Sequence, residues 1–222
     1  MGESPQRVFN VGGLGVDAIK KTKLLSKNEL KNKLGIKFEQ KNLLITFHPV
    51  TLEKNTSRKH LNVLLSVLDK LDNIYLIFTM PNADSDGRII SELILDFVEK
   101  NKHRSISFTS MGHENYISTL QFVDGVIGNS SSGLTEVPSF RIGTVNIGDR
   151  QSGRLKAKSI IDCKPNEKSI RDGIMMLYDI EFQKKLLKVK NPYGEGLATD
   201  NILSTLLNCD IPQDLKKPFY DL

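Results

Sequence analysis

Residues 128–136 read Gly-Asn-Ser-Ser-Ser-Gly-Leu-Thr-Glu, a run of serines between two glycines at the end of an apolar stretch. Glycine permits sharp bends and close approach of backbone to a ligand. A loop that opens a helix presents unpaired N–H groups, and the helix dipole there favours anions. Ser130, Ser131 and Gly133 thus have the composition of a diphosphate cradle, without the lysine or the spacing of a Walker loop or a dinucleotide fingerprint. The same residues also suit a polar loop that caps a helix with hydroxyls to spare. Glu136 is expected near the first turn of the following helix, either as an ordinary helix-start acid or as an acceptor for ribose hydroxyls. Farther on, Gly-Asp-Arg-Gln-Ser-Gly-Arg places Arg150 and Arg154 in a glycine-containing loop, where a guanidinium can grip phosphate in bidentate fashion or simply remain solvated. His48 sits between an apolar run and Pro49. It can hydrogen-bond a phosphate or move a proton near neutral pH, although a lone histidine is more often structural. His60 and His103 fall in helical or helix-end surface patterns, and His113 suits a polar cap. No His, Cys, Asp and Glu set has metal-ligand spacing, and there is no G-x-S-x-G elbow, so metal and Ser-His-Asp chemistry have no sequence support.

Positioning these loops is the work of an alternating chain. Asn42–Phe47, Ile74–Thr79, Ser105–Ser110, Val123–Ile127, Thr144–Gly148 and Ser159–Asp162 read as short apolar strands. Between the first two, Leu61, Leu64, Leu65, Leu68 and Leu71 form a helical stripe with Ser57 placed as N-cap. Residues 85–100 and 113–122 are also predicted helical, a short helix is predicted to begin at 134–137, and helices are predicted over about 166–188 and 197–208. Strand–helix alternation with apolar strands predicts an α/β fold, an open, Rossmann-like parallel sheet with helices on both faces. Ligands of such sheets bind beyond the carboxyl ends of the strands. His-Pro-Val-Thr, Pro-Asn-Ala-Asp-Ser-Asp-Gly, Ser-Met-Gly-His-Glu-Asn, Gly-Asn-Ser-Ser-Ser-Gly and the Arg150 loop follow the first five strands in turn, which locates a site there.

A chain of 222 residues with 39% hydrophobic content can build a substantial core. No apolar run approaches the roughly 20 residues of a membrane span, and the first residues lack the layout of a secretory signal. Cys163 and Cys209 have no metal or redox spacing and read as free thiols in a cytoplasmic protein. The net charge of +5 comes largely from lysines mixed with apolar residues at helical spacing, so it predicts a solvated surface rather than a nucleic-acid site.

In order along the chain, Phe-His-Pro-Val-Thr-Leu-Glu, Met-Pro-Asn-Ala-Asp-Ser-Asp-Gly, Gly-Asn-Ser-Ser-Ser-Gly-Leu-Thr-Glu-Val-Pro-Ser-Phe and Asn-Ile-Gly-Asp-Arg-Gln-Ser-Gly-Arg resemble the UDP-N-acetylglucosamine 2-epimerase family. The Phe-Asn-Val-Gly-Gly-Leu-Gly-Val-Asp segment near the start fits as well, and the match runs from Pro5 to about Leu207. The His-Pro-Val-Thr form is similar to the hydrolysing, sialic-acid-pathway branch, whose relatives include enzymes acting on UDP-diacetylated bacillosamine. The resemblance implies one half of a two-domain GT-B fold, with UDP-sugar in the cleft between two Rossmann-like halves. Residues 1–20 would then be the end of an N-terminal domain and a linker, and 21–222 the C-terminal UDP-binding domain of a longer enzyme or a split one. The final helix would cross back to the other half.

The implied chemistry eliminates UDP from C1 as a base removes the C2 proton; water then adds to the glycal, giving N-acetylmannosamine and UDP. By position, Ser130 and Ser131, with Gly133 between them and the helix, would contact the phosphates, Glu136 the ribose and Arg150 the UDP site. His48 would lie beside the diphosphate and sugar as the catalytic candidate. Asn82 would face the nucleotide, and the Ser110–Gly112 stretch, with Met111 and Gly112, would approach the uracil. The resemblance implies no cofactor, no nucleic acid and no membrane. Its partners would be the N-terminal domain and a homo-oligomeric copy, and the acids that move the C2 proton would lie in the other half. Two other readings share these loops: half of a GT-B glycosyltransferase, and a stand-alone nucleotide-sugar-binding module.

Overall fold

A computed structural model describes residues 2–50, 56–82, 87–210, 216 and 219–221. The chain divides into two units. One comprises residues 22–192, and the other combines residues 1–21 with 193–222.

The first unit is a six-stranded, wholly parallel sheet of β1 (Asn42–Thr46), β2 (Tyr75–Thr79), β3 (Ser105–Phe108), β4 (Gly125–Gly128), β5 (Gly143–Ile147) and β6 (Ile160–Cys163). The spatial order is β3-β2-β1-β4-β5-β6. The order reverses between β1 and β4, so a crevice opens at their carboxyl ends. Every residue of β1, β2, β4 and β5 is buried, as the apolar runs require when both faces are covered. Alternate side chains separate the faces. Leu43, Ile45, Leu76, Phe78, Ile127 and Val145 join one core with residues of the helices α3 (Thr56–Asp69), α4 (Gly87–Lys100) and α7 (Glu167–Leu177). Leu44, Ile77 and Val126, equally buried, face the other way. On that side lie α2 (Lys27–Leu34), α5 (His113–Thr119) and the single turn α6 (Ser132–Thr135), which packs on β4 and β5.

Local chemistry starts the helices. Ser26 and Glu29 form a reciprocal capping box at α2. Asn166 caps α7, and Asp179 caps α8 (Ile180–Leu186). Ser57 is not the cap predicted for α3. The helix already includes Thr56, and the Ser57 hydroxyl, buried one residue inside, accepts the N–H of Val50. The helix predicted over 113–122 is α only to Thr119 and finishes as a 3-10 turn, Leu120–Phe122.

In the second unit, α1 (Leu14–Lys21) meets α9 (Ala198–Asn208) through one carboxylate. Both oxygens of the buried Asp17 accept backbone N–H groups, from Ala198 at 2.8 Å and Thr199 at 2.7 Å. These are the orphan donors of the first turn of α9. Hydrogen bonds from Thr199, more than any other influence, hold the Asp17 carboxyl below its ordinary pKa. No helix among the described residues is long and apolar enough to cross a membrane.

Candidate functional site

At the crevice, β1 runs into His48 and β4 into Asn129. The last paired residues are Thr46 and Gly128. One step beyond, the Asn129 N–H still reaches the Thr46 carbonyl at 3.2 Å. The Asn129 side chain then replaces a backbone ladder. Its Oδ1 accepts the His48 N–H at 2.7 Å, and its Nδ2 donates to the His48 carbonyl at 2.8 Å. From the turn after β5, Arg150 Nη1 and Gln151 Nε2 both donate to the Asn129 carbonyl, at 3.0 and 2.8 Å. Three strand ends are tied together at one residue.

The serines of the following loop divide their tasks. The Ser132 hydroxyl pairs with the Tyr116 hydroxyl at 2.7 Å, joining α6 to α5. Burial, above all, pushes the Tyr116 phenol well above its ordinary pKa, and the nearby Glu136 carboxylate adds to this. Ser130 turns back on the loop, its Oγ accepting the Ser132 N–H and its carbonyl the Gly133 N–H. The Ser131 carbonyl accepts from Leu134 and Thr135. Among the described residues, the Ser131 hydroxyl and the N–H groups of Ser130 and Ser131 have no partner within the chain. Those donors are what an anion could take.

Gly133 differs from its neighbours. Its N–H is used by Ser130, its carbonyl accepts the Thr144 hydroxyl at 2.9 Å, and a Cβ there would stand 2.7 Å from Thr144 Cγ2. The glycine allows α6 to lie against β5. Glu136 is not in the first turn of α6, as the sequence suggested, but follows its last residue and begins a 3-10 turn, Val137–Phe140. A carboxylate at the C-terminal end of a one-turn helix gains nothing from its dipole. Glu136 remains half-buried, close enough to Tyr116 for its charge to act on the phenol.

The other candidates follow β2 and β3. Asn82 is exposed; Met111 is buried, its carbonyl accepting Asn115 Nδ2 at 2.6 Å; Gly112 is the N-cap of α5. All lie at the carboxyl end of the sheet; among the described residues, His48 and Arg150 are joined by hydrogen bonds through Asn129, which leads directly into the Ser130 loop. Thr51, Leu52 and Glu53 of the first motif and Ala83–Asp86 of the second lie outside the described residues. Arg154 is exposed. His60, with Phe47, Asn129 and Cys163, lines a cavity of about 520 Å³ beside the crevice. His103 lines a cleft of about 870 Å³ at the opposite, amino-terminal end of the strands, far from these loops. Behind the crevice, Lys156 Nζ touches both Asp162 oxygens at 2.8 and 2.9 Å, and Asn146 Nδ2 donates to Asp162 at 2.7 Å. Burial pushes the Asp162 carboxyl up, but Lys156 and Asn146 outweigh it and hold it below the ordinary range.

Sequence reasoning passed over Asn129, Gln151 and Tyr116. Asn129 stood inside a motif chosen for its serines, and Gln151 between two arginines. Tyr116 carried no signal, because its partner is 16 positions away.

A family model described as UDP-N-acetylglucosamine 2-epimerase matches residues 1–207. The chain belongs to that family. It is 39% identical over 223 residues to a GDP/UDP-N,N'-diacetylbacillosamine 2-epimerase (hydrolyzing) from Campylobacter jejuni, covering 100% of this chain and 58% of that protein. It is 28% identical over 207 residues to a UDP-N,N'-diacetylbacillosamine 2-epimerase (hydrolyzing) from Legionella pneumophila, covering 93% of this chain and 53% of that protein. The chain therefore spans a little over half the length of these relatives. Among solved structures, the Methanocaldococcus jannaschii UDP-GlcNAc 2-epimerase in complex with UDP-GlcNAc and UDP superposes with a TM-score of 0.70 at 16% identity, over 93% of this chain and 56% of that one. That likeness establishes the fold: the parallel sheet is one Rossmann-like half of a GT-B architecture, as the sequence predicted.

Proposed function

We propose that this epimerase-family chain supplies the UDP-binding, C-terminal half of a hydrolysing UDP-sugar 2-epimerase. Residues 21–222 form that half, and residues 1–20 lead into it from an N-terminal domain. The observation that carries the reading is the junction at Asn129. It brings His48, the Ser130–Ser131 loop and Arg150 to one crevice at the switch point of the sheet, in a chain whose relatives are named as hydrolysing 2-epimerases.

In this reading the N–H groups of Ser130 and Ser131, the Ser131 hydroxyl and the remaining donors of Arg150 receive the diphosphate. Glu136 accepts from the ribose, and Asn82 and the Met111–Gly112 backbone line the nucleotide end. The substrate is UDP-N-acetylglucosamine or a diacetylated bacillosamine relative. The C1–O bond to UDP breaks as the C2 proton leaves to a base in the other half, and water adds to the resulting glycal, releasing the 2-epimeric sugar. Charge grows on the departing diphosphate, so fixed donors aimed at it lower the barrier. His48, beside the diphosphate and sugar, donates a hydrogen bond there or moves a proton. The N-terminal half completes the site, copies of the whole enzyme associate, and the setting is the cytoplasm.

Calorimetry of this chain with UDP and UDP-N-acetylglucosamine tests the assignment. Arg150→Ala and Ser131→Ala are expected to weaken UDP binding; equal affinities for all three proteins would sink it.

A further inference from the structure

We infer that Asn129 is a positioning residue of the proposed UDP site, holding Arg150 and His48 in one geometry rather than touching the ligand. The inference rests on the UDP-binding reading above. Asn129 is 1% exposed and has almost no surface to offer a ligand. Its polar groups are instead committed within the chain. The side chain grips the N–H and the carbonyl of one residue, His48, 81 positions away. The backbone carbonyl takes Arg150 and Gln151.

The geometry explains why asparagine serves. At the switch point β1 and β4 part company, and backbone pairing ends at Thr46 and Gly128. A carboxamide carries a donor and an acceptor at the spacing of a peptide group, so it extends the ladder across the gap. That grip fixes the plane of the Asn129 peptide, and with it the direction of the carbonyl that Arg150 bonds. A guanidinium has five N–H donors. Arg150 spends one on Asn129 and keeps the others for a phosphate. An arginine already anchored loses less side-chain freedom on binding than a solvated one. Gln151, also 1% exposed, braces the same carbonyl from the second side.

A double-mutant cycle in the 222-residue chain tests this, with UDP as the probe and calorimetry as the readout. Asn129→Ala is expected to weaken UDP binding at least tenfold. In an Arg150→Ala background, part of that loss should vanish, because one of the two residues through which Asn129 acts is gone. The Arg150 Nε–H signal in proton–nitrogen spectra of the UDP-free chain should be resolved in the unsubstituted protein and broadened in Asn129→Ala. Asn129→Asp retains the acceptor for the His48 N–H but sets a carboxylate oxygen against the His48 carbonyl and adds negative charge beside the diphosphate, so it should bind UDP no better than Asn129→Ala. Should the alanine variant fail to fold, Asn129→Ser carries the same comparison. An equal loss in both backgrounds with an unchanged Arg150 signal overturns the positioning role, as does undiminished binding by Asn129→Ala. No UDP binding by the unsubstituted chain overturns the UDP reading and this inference with it.

Discussion

The α-carbon of Gly128 faces the backbone carbonyl of Thr46 so closely that a methyl group there would overlap the oxygen. Its φ of +139° is also a conformation that side-chain-bearing residues rarely adopt. Gly128→Ala should therefore destabilise the chain by about 3 kcal/mol or more, combining backbone strain with overpacking. The midpoint of urea unfolding measures this. A shift of less than about 1 kcal/mol would mean that β1 and β4 can separate without loss.

Arg150 is expected to matter for binding more than for folding. A hydrogen bond to a charged group is worth about 1.5–3 kcal/mol, or roughly ten- to a hundredfold in affinity. Arg150→Ala should weaken UDP by that factor while leaving the unfolding midpoint within about 0.5 kcal/mol, as for other exposed positions. Arg154, exposed and outside the Asn129 junction, should give a smaller effect on UDP when changed to alanine.

Asp17 makes the second unit sensitive to acid. Its carboxyl is held below the ordinary value of 3.8 in the folded chain, so the charged form is the one that stabilises. That contribution is complete above the unfolded pKa and is lost as pH falls through the lowered folded one. Amide exchange of the first turn of α9 should accelerate below about pH 4 relative to that of β1. Asp17→Ala should show the same acceleration at neutral pH, and identical exchange in both proteins would refute the cap.

Tyr116 and Tyr178 should ionise last. Burial raises both phenols well above their ordinary value, so the protonated form is favoured by folding. The resulting stability is present below the unfolded pKa of about 10 and is lost as pH rises toward the folded values. Absorbance titration at alkaline pH should show these two tyrosines ionising only with unfolding. Tyr116→Phe should cost about 1 kcal/mol through the lost bond to Ser132.

The two thiols should react at different rates. Burial, chiefly, raises the Cys163 pKa, which depletes the reactive thiolate, whereas Cys209 is partly exposed. A colorimetric thiol reagent should modify one cysteine rapidly in the native chain and the second only with denaturant. Cys209→Ser should abolish the fast phase.

Much of this protein was determined along the chain itself. Apolar runs separated by helical stripes point to a parallel sheet, because a sheet covered on both faces buries such runs as Leu43–Leu44–Ile45 completely. The polar loops at the strand ends were visible for the same reason: they interrupt that pattern. What the chain could not display was the division of labour inside the loops. Of the serines, Ser132 is committed to Tyr116, Ser130 to its own turn, and Ser131 keeps its hydroxyl, yet in sequence they are equivalent. The prediction for Glu136 failed because α6 closes after one turn, just ahead of Pro138, which has no N–H with which to continue a helix. Asn129 illustrates the general reason. Its partners, His48, Arg150 and Gln151, come from different strand ends, and periodicity records only neighbours on one element. The order β3-β2-β1-β4-β5-β6, which places those ends side by side, is a property of the tertiary structure alone.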